Sequence, residues 1–358
     1  MMNSLIIDFI QKHKDDWADR LATKKVEVKY DGDLAIFNYS ILADFSDPIV
    51  REARGIIINL KKLYVVCWPF TKFCNYNEPY HDDIDWSTAR IQDKIDGSLM
   101  KLFWYDGKWR IATNGTIDAD KANVNGTNYT FGDLFRAAML HVHLDLSALD
   151  WHNTYMFELV SPYNRVVCDY GDEVTIWHIG TRSNQTGEEL IEDIGIHKPN
   201  EYPLHSLEDC VAAAKKLNVI GSTVTKEGFV VVDKNWHRIK VKSPEYVMMH
   251  HILPNGEVSD EKLIGYIRNG IADDIITYIP SLAVRINDIK MRIAAAESEM
   301  LDYCKWNKIE VADNKMSRAD WAKWHNKDKW FKFGVKYIFD NIEPSFDTLN
   351  DKKLYEVI

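Results

Sequence analysis

Cysteine is scarce in this chain, and its distribution is uninformative. Cys67, Cys74, Cys168, Cys210 and Cys304 are odd in number, and no pair is spaced as Cys-x-x-Cys. That pattern excludes a disulfide framework and a zinc ribbon, and buried, reduced thiols in a cytoplasmic protein are expected. Long apolar runs are missing: none approaches the roughly 18 residues of a membrane helix. Met1–Leu21 reads as a short amphipathic helix carrying Asp8, Asp15, Asp16 and Asp19, too acidic and too short in its apolar stretch for a signal peptide. Positive charge is in deficit, since 44 Lys+Arg stand against 54 Asp+Glu, a net of −10. A globally basic nucleic-acid coat is thereby excluded, whereas a local basic groove is not. No low-complexity segment, repeat or coiled-coil seam is present, so a monomer is expected.

The 358 residues are 46% hydrophobic and 27% charged, enough to build one large core or two. From Lys25 to Lys242 the pattern predicts short strands broken by turns: Lys25–Tyr30, Leu34–Tyr39, Gly55–Asn59, Leu63–Trp68, Leu99–Tyr105, Lys108–Thr113, Thr154–Val160, Val174–Ile179, Gly228–Asp233 and Arg238–Lys242. Asp106-Gly107, between the fifth and sixth of these, is a strong hairpin signal. Helices are expected at Gly132–His143 and, behind a Ser-Leu-Glu-Asp capping box, at Ser206–Leu217. Hairpin-paired strands with inserted helices predict an α+β domain of antiparallel sheets over residues 1–245. After Tyr246 the spacing turns helical. Ile271–Tyr278, Leu282–Tyr303 (with Leu282, Ile286, Ile289 and Ile293 on one stripe) and Trp321–Ile338 predict a smaller all-α domain over 246–358.

Lys94-Ile95-Asp96-Gly97-Ser98 sets a lysine at a strand end before an Asp-Gly turn. A lysine nucleophile needs a lowered pKa, from desolvation or neighbouring cations, and could form a covalent lysyl-nucleotide phosphoramidate. Alone, the motif is better explained as a surface hairpin with a solvated lysine. Further along, Phe157-Glu158 puts an acid in an apolar strand, and Glu227 immediately precedes another strand. Arg238-Ile239-Lys240-Val241-Lys242 then spaces three cations onto one strand face, which suits a triphosphate. An exposed edge strand kept soluble by lysines is the plain alternative.

The ordered set Lys-x-Asp-Gly, Phe-Glu, Glu-Gly-Phe-Val, Lys-x-Lys is similar to the motifs of covalent nucleotidyltransferases. More finely, the chain resembles the RNA ligase 1 family of tailed bacteriophages, which repairs broken tRNA. Lys72-Phe73-Cys74-Asn75-Tyr76-Asn77-Glu78 is similar to that family's KFFNxxE segment, and Phe157–Val167 resembles its FEFVxPxNRIV. The resemblance implies an adenylation domain in which Lys94 takes AMP from ATP. It also implies nucleotide contacts from Tyr39, Arg54, Lys72, Glu158, Lys240 and Lys242. Glu227 would lie beside the nucleophile and help to hold metal-bound water; Mg²⁺ (or Mn²⁺) is the implied ion. Gly270-Ile271-Ala272-Asp273-Asp274 looks like the family's metal element, with Asp273 as a ligand. The implied partner is RNA with 5′-phosphate and 3′-hydroxyl ends, such as a cleaved tRNA anticodon loop, and Tyr246 stands beyond the last motif as an RNA contact. One departure is clear: the family's Lys-Gly-Ser-Ile segment reads Asn114-Gly115-Thr116-Ile117 here, one cation fewer.

Within Lys305–Lys336, nine Lys/Arg stand against four acids, a local +5 with Trp306, Trp321, Trp324, Trp330, Phe331 and Phe333 interleaved. Cations for phosphates and aromatic faces for unpaired bases suit single-stranded RNA. The same pattern also fits buried tryptophans behind a solvated basic face. The helical reading after Tyr246 disfavours a DNA ligase or a capping guanylyltransferase, which append a β-barrel there. A catalytically silent RNA-binding protein is disfavoured by the complete motif set.

Overall fold

In the computed structural model, which describes residues 4–218, 225–244, 246–247, 259–278 and 282–358, most strands pair with antiparallel neighbours. The first sheet is a meander of β1 (Val26–Asp31), β2 (Leu34–Tyr39), β3 (Arg54–Asn59) and β4 (Tyr64–Cys67), with the short helix α3 (Pro48–Glu52) between β2 and β3. Strand β2 is apolar on both faces because both are covered. Ala35 and Phe37 meet Ile6, Ile10 and Leu21 from α1 (Leu5–His13) and α2 (Trp17–Thr23). Leu34 and Ile36 meet Phe103 and Ala112 of the second sheet. The single N-terminal helix expected over 1–21 is thus two helices, parted where Lys14 takes φ +40°.

In chain order, β5 (Cys74–Asn75), β6 (Arg90–Lys94), β7 (Ser98–Tyr105), β8 (Lys108–Thr113), β9 (Asn153–Val160), β10 (Thr175–Ser183), β11 (Glu189–Leu190), β12 (Glu201–Tyr202), β13 (Gly228–Val232) and β14 (Arg238–Lys242) follow. The second sheet runs β11-β10-β9-β7-β8, and α4 (Phe131–His141), capped by Thr130 and Asp133, covers its far face with Leu134, Phe135 and Ala138. The third sheet runs β12-β6-β13-β14-β5. Its one departure from antiparallel pairing is β14 beside β5, because the chain enters β5 from the first sheet rather than from a hairpin. Helix α5 (Leu207–Ala214) lies on one face of this sheet, against Phe229, Val231, Ile239 and Val241. Strand periodicity sends Val230 and its rung neighbours Lys240 and Gln92, together with Lys94 on the Gly228 rung, to the other face. One apolar face and one charged face leave the chemistry nowhere else to go.

The chain divides into two compact units, 1–252 and 253–358. The boundary expected at 245/246 falls beside Glu245, outside the described residues. The described part of the second unit is helical: α6 (Asp260–Arg268), α7 (Ala272–Tyr278), α8 (Ala283–Asn314), α9 (Arg318–His325), α10 (Phe331–Phe339) and α11 (Asp351–Val357). Of the expected stripe, Ile286, Ile289 and Ile293 are buried and Leu282, at the N-cap, is half-buried; α8 continues the buried face through Ala296, Met300 and Cys304 to Asn307. The expected helix over 321–338 is two helices, separated at residues 326–330. All five cysteines are free and buried, and no described helix is long and apolar enough to cross a membrane.

The tryptophans of Lys305–Lys336 divide between the two readings. Trp321 is fully buried, stacked on Phe331, and its Nε1–H donates to Asn307 Oδ1 at 3.0 Å. Trp330 is buried as well, whereas Trp306 and Trp324 are 71% and 79% exposed. Trp321→Ala should therefore destabilise the helical unit by about 3–5 kcal/mol, through a large cavity. Trp306→Ala and Trp324→Ala should each stay within about 0.5 kcal/mol of wild type. Denaturant unfolding of the three variants checks both values.

Candidate active site

The site is built on one rung of the third sheet. In the register Lys94 pairs with Gly228, and Gly228 with Lys242, so Glu227 is delivered between two lysines on flanking strands. Lys94 Nζ donates to Glu227 Oε2 at 2.8 Å, and Lys242 Nζ donates to Glu227 Oε1 at 3.0 Å. The rung tolerates no side chain at its centre. Gly228 takes φ +151°, and a Cβ there would lie 2.2 Å from the Val241 carbonyl oxygen. Glu227 and Lys242 are buried, and Lys94 is partly exposed.

The charge state of Lys94 differs from the sequence expectation. Burial works to lower its pKa, and Lys242 adds to that, but the Glu227 carboxylate and then Glu158 pull the other way and set the net direction upward. At rest Lys94 is an ammonium held by Glu227, not a pre-formed amine. Glu158 shows the reverse balance. Burial pushes its carboxyl up to about 7; Lys94 opposes this, Glu227 and Asp96 add to it, and Arg54 opposes it. Glu158 Oε1 also accepts from the Gly97 amide at 3.1 Å, tying it to the loop after the nucleophile.

Asp96 fixes that loop. Its Oδ2 accepts from the amides of Val167 and Cys168 at 2.9 and 2.8 Å, and its Oδ1 accepts from Tyr246 Oη at 2.8 Å. Its own amide donates to Tyr170 Oη at 2.9 Å. Tyr246, expected as an RNA contact, is 3% exposed and lies 5.3 Å under the Lys242 ammonium. In this arrangement it braces the loop and presents no surface to RNA. Sequence reasoning named Asp96 only as a turn residue; its bracing role depends on residues 70 to 150 positions away, which no local pattern signals.

A pocket opens beside Lys94, walled by Arg54, Phe73, Leu99, Glu158, Val230 and Arg238 among others. Arg54 and Lys240 approach the Phe73 ring at 5.5 and 5.7 Å. Lys72 sits over the rings of Phe45 and Tyr39 at 4.3 and 6.0 Å. Lys94, Arg54 and Glu158 therefore share one pocket wall, Lys242 joins them through Glu227, and Lys240 through Phe73. Lys72 and Tyr39 form an adjoining cluster across Phe45. Arg238 departs from the expected cation trio: its Nη1 and Nη2 grip Glu189 at 2.7 and 2.6 Å, and it stacks on Phe70. Its charge is already neutralised, so it is a weak counter-ion for a triphosphate. Glu189, in a two-residue strand far upstream, carries no sequence signal for this pairing.

Asp273 lies in the second unit, where its Oδ1 accepts from Lys290 Nζ at 2.9 Å. Among the described residues no group of three or more His, Cys, Asp or Glu is assembled to hold a metal ion.

Comparison with known proteins bears on this geometry. The model of the RNA ligase family matches residues 52–246. A putative bifunctional polynucleotide kinase/RNA ligase of Autographa californica nuclear polyhedrosis virus is 32% identical over 279 residues, spanning 72% of this chain and 39% of that protein. A putative RNA ligase of Thermovibrio ammonificans is 28% identical over 374 residues, covering 94% of both chains. The RNA ligase of Rhodothermus phage RM378 is 26% identical over 330 residues, covering 72% of this chain and 73% of its own.

The raised Glu158 carboxyl makes a pH prediction. Its ordinary value is 4.5 and its folded value about 7, so between those values the folded chain holds a proton that the unfolded chain has lost. Stability then falls as pH rises through that window. Thermal melts of the unliganded protein from pH 5 to 8 should show wild type losing roughly 1–3 kcal/mol relative to Glu158→Gln, which has no proton to lose there. Parallel pH profiles for the two proteins would count against the buried, proton-holding Glu158.

Proposed function

This chain belongs to the RNA ligase family, and from that premise we propose that it is an ATP-dependent RNA ligase acting through a covalent lysyl-AMP. The observation that carries the reading is the clasp of Glu227 between Lys94 and Lys242 at 2.8 and 3.0 Å, at the mouth of a pocket holding Arg54 and Glu158. The first unit then has the role of an adenylation, or nucleotidyltransferase, domain.

Lys94 Nζ attacks the α-phosphorus of ATP, forming a P–N bond as the bond to pyrophosphate breaks. Attack needs the neutral amine, and the proton that leaves has a carboxylate acceptor in Glu227. Triphosphate oxygens compete with Glu227 for Lys242, and Lys240 stands on the same strand face to share that charge. The AMP then passes to a 5′-phosphate on RNA, and a 3′-hydroxyl displaces it to close the strand. Glu227 would hold Mg²⁺ (or Mn²⁺) through water, alongside phosphate oxygens of the nucleotide. When bound, it offsets phosphate charge. Asp273, paired with Lys290 in the second unit, is a separate metal ligand that the motif resemblance offers.

RNA with 5′-phosphate and 3′-hydroxyl ends, including a cleaved tRNA anticodon loop, is the proposed substrate, joined by a single chain in the host cytoplasm. The exposed Trp306 and Trp324, set among the lysines of 305–336, support base stacking with phosphate contacts in the helical unit.

Incubation with α-labelled ATP and Mg²⁺ tests the reading. Wild type becomes labelled and transfers the label to 5′-phosphorylated RNA. Lys94→Ala gives no labelled protein, a loss of more than about 10³-fold. Labelling of the Ala variant, or label taken from GTP in preference to ATP, would overturn it.

A further inference from the structure

A second lysine lies beneath the pocket wall, and the chemistry described so far makes no use of it. Lys101 is on β7, in the row Leu99–Lys101–Phe103 that faces the first sheet, two residues along from the pocket-lining Leu99. It is 0% exposed. Its ammonium donates to the carbonyl oxygen of Gly55, the residue directly after Arg54. Gly55 has φ +81°, and a Cβ there would stand 2.7 Å from Lys101 Nζ, 2.5 Å from the Asn114 carbonyl oxygen and 3.1 Å from Asn114 Oδ1. Lys101, the Arg54–Gly55 turn and Asn114 thus close on one point.

The electrostatics there are one-sided. Burial lowers the Lys101 pKa to about 8, with Arg54 adding to the shift and the Cys67 thiol opposing it. No carboxylate contributes, and among the described residues Lys101 makes no ion pair. A buried cation beside another cation is costly unless an anion joins them. Arg54 faces the Lys94 pocket with a buried Nη1 that has no hydrogen-bond partner. A negatively charged group entering beside Arg54 would complete both.

We infer that Lys101 is a positioning residue of the nucleotide pocket: it pins the Gly55 carbonyl, aims Arg54 at the incoming nucleotide, and supplies from below the cation that the resembling ligases carry where this chain has Asn114. Lys101 Nζ and Asn114 both close on Gly55, so a cation carried at either position would bear on the same turn. This inference rests on the ATP reading and specifies which residues shape its pocket.

The test is single-turnover protein–AMP formation across an ATP series, with a thermal melt of every variant. The variants are Lys101→Met, Lys101→Gln, Asn114→Lys and the double variant Lys101→Met with Asn114→Lys. Methionine keeps the length and apolar stem without the charge, so the Met variant should melt at or above the wild-type temperature. Its kcat/KM for ATP should fall about ten-fold or more. Asn114→Lys in the Met background should recover most of that loss, which a merely structural lysine would not allow. If Met at 101 prevents cooperative melting, the Gln variant, which keeps a donor for Gly55 but not the charge, tests the missing cation alone and should show a fall of the same sign. A folded Met or Gln variant that labels like wild type overturns the inference and leaves the ATP reading standing. Loss of labelling that Asn114→Lys does not repair, or failure of both variants to fold, makes Lys101 structural and also overturns it. A wild-type protein that takes no label overturns the parent reading and this inference with it.

Discussion

Glu227 is gripped by two ammonium groups at 2.8 and 3.0 Å, and most of the first unit can be read as the apparatus that keeps it there. A buried carboxylate with one cation would be a strained ion pair; with two it becomes a hub whose net charge is positive. The hub forms because three strands place Lys94, Gly228 and Lys242 on one rung, and because Gly228 alone lets the backbones approach that closely. Helix α5 covers the other face of the same sheet, so the strand alternation that packs Phe229 and Val231 inward also forces the charged rung outward. Packing and chemistry are two sides of a single periodicity.

From that hub the surrounding charges acquire an order. Lys94 is held protonated by an acid, while Glu158, across the pocket, is desolvated toward neutrality. The pocket at rest therefore carries more positive than negative charge, the state that favours a polyanion and disfavours a neutral ligand. Arg238 shows the limit of counting cations by strand face. It occupies the predicted position on β14, yet Glu189 has already spent its charge, and its value is to hold β14 against β11 beside the Phe70 ring. The chain's net charge of −10 says nothing about this pocket; the sign that matters is set within one rung.

Much of this was legible in the sequence because it depends on short periods. The β7–β8 hairpin was marked by Asp106-Gly107, α5 by Ser206, and the Lys-x-Lys face by alternation, and all three appear as expected. The strand Arg90–Lys94 was anticipated only through the lysine at its end, since its Arg-Ile-Gln-Asp-Lys sequence has a single apolar residue. What stayed hidden depends on pairings between distant segments: Glu189 with Arg238, Asp96 with Tyr246, Lys101 with Gly55. The N-terminal helix and the helix over 321–338 were each read as one because a helical period survives a short break, whereas the turn that makes the break is decided by backbone angles such as the φ +40° at Lys14.

Lys101 and Asp96 show that side chains near Lys94 shape its pocket without reaching into it. Each sits within seven positions of Lys94, and neither needs to touch a reacting atom to matter. Asp96 ties the nucleophile loop to the 161–171 segment and to Tyr246 through four hydrogen bonds, so the loop cannot relax without breaking contacts in two other parts of the unit. Lys101 acts on the opposite wall, through the backbone of Gly55. Walls braced in this way hold fixed positions around the Lys94–Glu227–Lys242 charges. Lys101 Nζ and the Asn114 carbonyl both close on Gly55, so residue 114 and the strand two residues beyond Leu99 bear on the same turn behind Arg54.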